Sequence, residues 1–342
     1  MERQDTGLTE LLRYENVAWY ENGTVRILDR RIYPTKKKYI ICSSYVEVAK
    51  VITHMATQSI TSAMVLEMGL VLAAHEAQSS HTSDIMNDLK KAAYVLSHAC
   101  PAIESKMAVV AKDCLAAARN ALFNGVSVEE ALFLHSITSA NARYLQAKEI
   151  VKNLLQLLPE AGAIMTQCFT ESALGFLFPE LARRGNTIKV FCTETCSCFK
   201  DSTLTAFWVR DSGADVTVIT DNMVASTILT QDVSCLISAA DIICLNGTVV
   251  NKIGTLQLAI CAKHLERPFY VMGIPSPSHE DAHNIQIERH DPKVTPCDMT
   301  TQIAKESVQG SYSMFDITPP TLVSAIITDR GIFCPYAISY YY

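Results

Sequence analysis

The sequence predicts an α/β protein: an N-terminal small β element plus a helical domain, then a C-terminal doubly wound, Rossmann-like parallel sheet. Three observations lead there. Two β-prone runs flank an Asn-Gly pair near the start. Helical periodicity dominates from Tyr45 to Leu157. From Gly162 onward, short continuous apolar runs alternate with helical segments, as in parallel strands buried on both faces. The 342 residues exceed one ordinary core and divide into a hairpin-and-helix domain, 1–157, and a sheet domain, 158–342.

Val17 to Tyr20 and Thr24 to Asp29 surround Glu21-Asn22-Gly23 and read as a hairpin. Pro34 and the run Lys36-Lys37-Lys38 read as a solvated turn. Val48, Val51, Ile52 and Met55 then recur at helical spacing. Asp88 to Ser97, Ala102 to Leu122 and Val128 to Leu157 continue that pattern. Pro101 suits a helix start and Asn124-Gly125 a helix end. The strand candidates are Ala163 to Met165, Ile188 to Cys192, Val216 to Ile219, Val233 to Ile237 and Phe269 to Met272.

Hydrophobic residues make up 49% and charged residues 19% of the chain, so a sizeable core is expected and disorder is not. A net charge of −6 argues against a nucleic-acid partner, which would call for a basic face. The apolar stretch from Met64 to Ala74 is interrupted by Glu67 and is too short to span a membrane. Met1 to Arg13 is polar, with charges of both signs, and has no signal-peptide character. Twelve cysteines without a secretory signal read as reduced thiols, and the expected location is cytoplasmic.

Ligands of open α/β sheets sit outside the carboxyl ends of the strands. The candidate edge is therefore Thr166-Gln167-Cys168, Thr193-Glu194-Thr195, Thr220-Asp221-Asn222, Asp241 and Pro275. The segment Asn246-Gly247 to Asn251-Lys252-Ile253-Gly254-Thr255 leads into a helix ending near His264. A Gly-bearing turn, a lysine and a helix N-terminus suit a phosphate; they equally suit an ordinary helix cap.

These same residues carry a resemblance. Ala240-Asp241, Asn246-Gly247 and Asn251-Lys252-Ile253-Gly254-Thr255 follow the order G-A-D-R-I-x-x-N-G-x-x-x-N-K-I-G-T of the methylthioribose-1-phosphate isomerase family. Ala262-Lys263-His264, Pro268 to Val271, Ile287-Glu288-Arg289, Phe315-Asp316-Ile317-Thr318-Pro319 and Gly331-Ile332-Phe333 continue it. The chain is similar to this family from about Val17 to Pro335. It is also similar to the family's relatives, the ribose-1,5-bisphosphate isomerases and the regulatory subunits of the translation-initiation exchange factor. The resemblance implies aldose–ketose isomerisation of a sugar 1-phosphate, with Cys168 and Asp241 at the catalytic positions. Ring opening and hydrogen movement between C1 and C2 need an acid and a base in a dry pocket. It also implies that no cofactor is needed, that the substrate is a small sugar phosphate, and that the protein is a homodimer acting in methionine salvage. The alternative is a non-catalytic binding or regulatory protein on the same fold.

The departures concentrate on the phosphate grip. The family's V-R-G-A-P-A-I-G loop is Thr57-Gln58-Ser59-Ile60-Thr61-Ser62-Ala63-Met64 here, so Gln58 and Ser59 stand where an arginine and a glycine are expected. A second arginine falls on Cys100. The E-T-R-P-x-x-Q-G-A-R segment is Glu194 to Thr203, without its arginines and its glutamine. Gln167 and Phe169 flank Cys168 in place of histidine and asparagine. Arginine binds phosphate in a bidentate, charge-assisted manner that glutamine cannot reproduce, and one such lost contact costs about 2–5 kcal/mol. Lys200 and Lys252 remain as cations for an anion, beside Asn251. The expectation is a changed substrate, or none. No metal site is expected. Cys192, Cys196 and Cys198 lack finger spacing, and His279, His283 and His290 read as part of a polar loop.

Overall fold

The computed structural model describes the chain except residues 1, 9, 31, 34–35, 56–58, 80–83, 101–102, 168–170, 196–198, 284, 286, 288 and 291–311. Two compact units are present, Met1–Leu145 and Gln146–Tyr342.

In the first unit a short helix, α1 (Tyr14–Val17), leads into β1 (Ala18–Glu21), β2 (Thr24–Leu28) and β3 (Tyr39–Cys42), an antiparallel sheet in that order. Asn22 and Gly23 both have positive φ, 49° and 75°, as a two-residue type I′ turn requires. The hairpin was expected; β3, only four residues long, was not. Helices α2 (Tyr45–Met55), α3 (Ser59–Ser79), α4 (Ile85–Ser97) and α5 (Glu104–Phe123) follow, and α6 (Val128–Leu154) begins in the first unit and ends in the second. Every residue from Ser62 to Ala74 is buried, so α3 is a central helix, apolar all round. At the end of α5, Gly125 takes φ 66° and the Val126 N–H donates to the Ala121 carbonyl at 3.0 Å, the helix stop expected at Asn124-Gly125. No helix among the described residues is long and apolar enough to cross a membrane.

The second unit contains β4 (Ala161–Gln167), α7 (Glu171–Arg183), β5 (Thr187–Thr193), α8 (Phe199–Asp211), β6 (Asp215–Ile219), α9 (Val224–Thr230) and β7 (Val233–Ala239). Next come β8 (Ile242–Ile243), β9 (Val249–Lys252), α10 (Thr255–His264) and β10 (Phe269–Met272). The chain closes with β11 (Arg289–His290), β12 (Tyr312–Ser313), β13 (Phe315–Thr318), β14 (Ala325–Thr328) and β15 (Gly331–Phe333). The main sheet runs β15-β14-β10-β7-β4-β5-β6, parallel except for β15. Each of the five strand candidates lies in one of these strands. The fold is the expected α/β architecture, a small N-terminal antiparallel sheet with helices and a mostly parallel sheet.

The strand order decides where a site can be. From β4 the chain builds outward through β5 and β6, then returns so that β7, β10 and β14 extend on the other side of β4. The switch point therefore lies between β4 and β7, and the place where such sheets bind ligands is outside their carboxyl ends. Beneath it, Met165, Phe191, Ile219 and Leu236 pack with Val224 and Ile228 of α9 and Leu258 and Ala259 of α10.

A smaller sheet, β13-β9-β8, supports this edge. It hangs on Gly247, whose φ is +86° and whose missing Cβ would lie 2.8 Å from the Pro335 carbonyl carbon. Backbone cannot yield as a side-chain tip can. Gly247→Ala is thus expected to cost about 2–4 kcal/mol, read as a lowered urea midpoint.

Candidate functional site

The two strands at the switch point deliver the two positions expected to be catalytic. β4 ends at Gln167, directly before Cys168, and β7 ends at Ala239, two residues before Asp241. Gln167 pairs in register with Ser238. Asp241 is half-buried, and its N–H donates to the Val250 carbonyl at 3.1 Å, tying the start of the loop to β9. Cys168 lies outside the described residues, as does Gln58. The backbone of Ser59 and Lys200 belongs to α3 and α8, while their side chains also fall outside the described set.

The turn from Asn251 to Thr255 meets the end of β4. The Gln167 side-chain amide donates to the Ile253 carbonyl at 2.6 Å through its nitrogen. Gly254 has φ +102°, and a Cβ there would lie 2.7 Å from Gln167 Nε2. A glycine is needed both for the left-handed backbone and for this approach. The Asn251 amide donates to Ser238 Oγ (3.1 Å) and to Thr255 Oγ1 (3.0 Å), binding β9 to β7 and to the start of α10. Lys252 is buried, with Nζ 4.4 Å from the centre of the Phe315 ring, a cation–π contact.

Of the two meanings left open for the Gly254 turn, a phosphate cradle or a helix cap, the structure provides the cap. Asp316 Oδ2 accepts from the Gly254 N–H at 2.7 Å and from the Leu256 N–H at 3.1 Å. A carboxylate from β13 thus holds the positive end of α10. Asp316 belongs to the Phe315-Asp316-Ile317-Thr318-Pro319 motif, whose role the sequence does not reveal, because the capping residue comes from 60 positions downstream of Leu256. Burial pushes the Asp316 carboxyl up to about 6, against the two N–H bonds that lower it. Its Oδ1 is buried without a partner among the described residues.

A carboxyl whose folded pKa is raised contributes stability that is full below its ordinary value and is lost as pH rises through about 6. Asp316→Asn keeps an acceptor oxygen and cannot ionise. Its unfolding free energy should therefore lack a decline between pH 4 and 6 that the parent shows, roughly 1–2 kcal/mol since the residue is only partly buried. Urea melts across that range check it; parallel curves for parent and variant would contradict it.

Along the same edge, the Thr195 N–H donates to Asp221 Oδ1 at 2.8 Å, and Gln257 Nε2 donates to the Asp221 carbonyl at 2.7 Å. Thr195 has φ +48°, rare for a β-branched residue. Pro275 offers its carbonyl to the Tyr342 hydroxyl at 2.5 Å. Burial pushes the thiols of Cys192 and Cys235 up to about 12 and that of Cys244 to about 11, so these behave as small apolar groups. Cys196 and Cys198 lie outside the described residues. His279 Nδ1 contacts Ser276 Oγ at 2.8 Å, and the His283 N–H donates to Asp281 Oδ1 at 2.9 Å; these are loop bonds.

Comparison with known proteins agrees with this architecture. A methylthioribose-1-phosphate isomerase from Pelotomaculum thermopropionicum is 30% identical, over 94% of this chain and 91% of that protein. The delta subunit of translation initiation factor eIF-2B from A. fulgidus superposes with a TM-score of 0.77 at 27% identity, covering 93% of this chain and 95% of the subunit. The 5-methylthioribose 1-phosphate isomerase of Pyrococcus horikoshii has the same fold, with a TM-score of 0.81 at 23% identity over 100% and 98% of the two chains. Residues 56–335, which hold α3 to α10, the switch-point strands and the Asn251–Thr255 turn, match the initiation factor 2 subunit family, and the chain belongs to that family.

Proposed function

We propose that the protein is an aldose–ketose isomerase of a sugar 1-phosphate, in the manner of methylthioribose-1-phosphate isomerase, with its selectivity altered at the phosphate end. The observation that carries this is the origin of the catalytic pair. Cys168 directly follows β4 and Asp241 follows β7 after one residue, and these strands flank the switch point. The curated relatives named methylthioribose-1-phosphate isomerase, at 30% identity over nearly the whole chain, support it.

The chemistry assigned is proton movement. A glycosyl phosphate must open its ring before hydrogen shifts between C1 and C2. Asp241 takes the role of handling the ring or hydroxyl proton, and Cys168 that of the partner acid or base at C1–C2. No cofactor enters this scheme. Asn251, whose amide bonds Ser238 of β7, and Lys252 of β9 are assigned to the substrate, with Lys200, Gln58 and Ser59 assigned to the anion. The proposal carries with it a place in methionine salvage, a cytoplasmic location and a homodimer, the last to be read by light scattering.

A second function has a specific observation in its favour. The Asp316 carboxylate occupies the α10 N–H groups that a phosphate would use, and the family's arginines are replaced by Gln58, Cys100 and Cys196. A regulatory binding protein needs neither. Incubation with methylthioribose 1-phosphate, ribose 1-phosphate and ribose 1,5-bisphosphate, with ketose formation followed by NMR, separates the two. Turnover of any one supports the isomerase. No turnover and no binding of all three removes the canonical activity and leaves a new substrate or the regulatory function.

A further inference from the structure

Three neutral polar side chains at the switch-point edge are buried and unsatisfied together. Gln167 and Thr193 are each 2% exposed and Thr195 is 1% exposed. Gln167 Oε1, Thr193 Oγ1 and Thr195 Oγ1 have no hydrogen-bond partner among the described residues. Buried polar atoms are nearly always paired, and each unpaired one is costly, so three on one edge call for an explanation.

Their placement follows from the register. Thr166 pairs with Cys192 on the parallel strands β4 and β5, so Gln167 and Thr193 come next, side by side and on one face. Two residues earlier on that face, Met165 and Phe191 enter the core under α9 and α10. Gln167 and Thr193 therefore form the polar layer directly above that core, at the carboxyl edge. Thr195 lies two residues beyond Thr193, its N–H bonded to Asp221 just past β6, in a backbone conformation that threonine rarely adopts. The Gln167 amide is anchored by its nitrogen to Ile253, which leaves its oxygen as an acceptor.

We propose that Gln167, Thr193 and Thr195 form a hydroxyl-binding subsite that takes the sugar portion of the ligand, separate from whatever holds its phosphate. The inference rests on the isomerase proposal for its choice of sugar. One amide acceptor and two hydroxyls, each able to donate and accept, suit vicinal hydroxyls. They carry no charge with which to hold a phosphate. Bound sugar supplies the partners that the empty protein lacks, so the ligand-free fold bears the cost and the complex recovers it.

The test uses the full chain and the variants Thr193→Val, Thr195→Val, Gln167→Leu and Thr193→Ser. Unfolding midpoints are measured without ligand. Affinities for methylthioribose 1-phosphate, ribose 1-phosphate and inorganic phosphate are measured by calorimetry, which needs no turnover. The two valine variants should keep or raise the ligand-free midpoint, because an unpaired hydroxyl is removed. Each valine variant, and Gln167→Leu, should weaken sugar-phosphate binding about tenfold or more. Thr193→Ser should bind within about threefold of the parent, and inorganic phosphate should bind all variants alike. Four results would overturn the proposal: midpoints several degrees lower in both valine variants, unchanged sugar-phosphate affinity, equal losses for phosphate and sugar phosphate, or no sugar-phosphate binding by the parent. Binding that depends on these hydroxyls without turnover would leave the subsite standing and remove the isomerase. Turnover with unaltered affinity in the variants would do the reverse.

Discussion

Asp241→Asn is expected to lower kcat for the isomerisation by about 10²–10⁴-fold, the usual contribution of a positioned acid or base. The fold should not change. The contact that ties Asp241 to the small sheet is its backbone N–H to the Val250 carbonyl, at 3.1 Å, and an asparagine keeps it. The unfolding midpoint should therefore stay with the parent while turnover falls, separating chemistry from stability. Cys168→Ser should give a loss of similar size. The double variant should be little worse than either single one, because residues that act as a unit lose their effect together. A loss under tenfold for Asp241→Asn, with turnover otherwise robust, would take Asp241 out of the proton path. A matching drop in midpoint would make its role structural.

The fold was legible in this sequence because its signals are strong and local. Asn22-Gly23 can take little but a type I′ turn between β-prone runs, and α3 announces itself by a long apolar stretch. Continuous apolar runs such as Ile188 to Cys192 can be strands only if both faces are covered. β8, β9 and β13 were not legible. They are two to four residues long and exist through pairing with one another, not through propensity. The site was half legible for a related reason. Strand ends predicted the edge, and Gln167 and Asp241 do end or follow the switch-point strands. Which groups satisfy one another across that edge depends on contacts distant in sequence. Asp316 capping α10, Gln167 reaching Ile253 and the unpaired hydroxyls of Thr193 and Thr195 appear only once the sheet is assembled.

Arg143→Met is expected to cost about 3–5 kcal/mol of stability. Glu67 sits in the middle of α3, 1% exposed, between residues that are all buried. Its carboxylate is satisfied by Arg143 of α6 in a bidentate fork, Nη1 to Oε1 at 2.9 Å and Nη2 to Oε2 at 2.6 Å. Burial alone would lower the Arg143 pKa, and the Glu67 carboxylate more than reverses this. The two partners are not equivalent. Arg143 keeps 24% of its side chain exposed, so removing Glu67 strands a cation that can still turn toward water. Removing Arg143 strands a carboxylate with no exit. Glu67→Leu should therefore cost less than Arg143→Met, and the double variant, with apolar groups in both places, should recover most of the loss or exceed the parent. Urea unfolding of the four proteins at pH 7, followed by far-ultraviolet circular dichroism, measures these costs. Equal costs for the two single variants would mean that Glu67 reaches solvent after all, and an additive double variant would mean that the pair is not coupled.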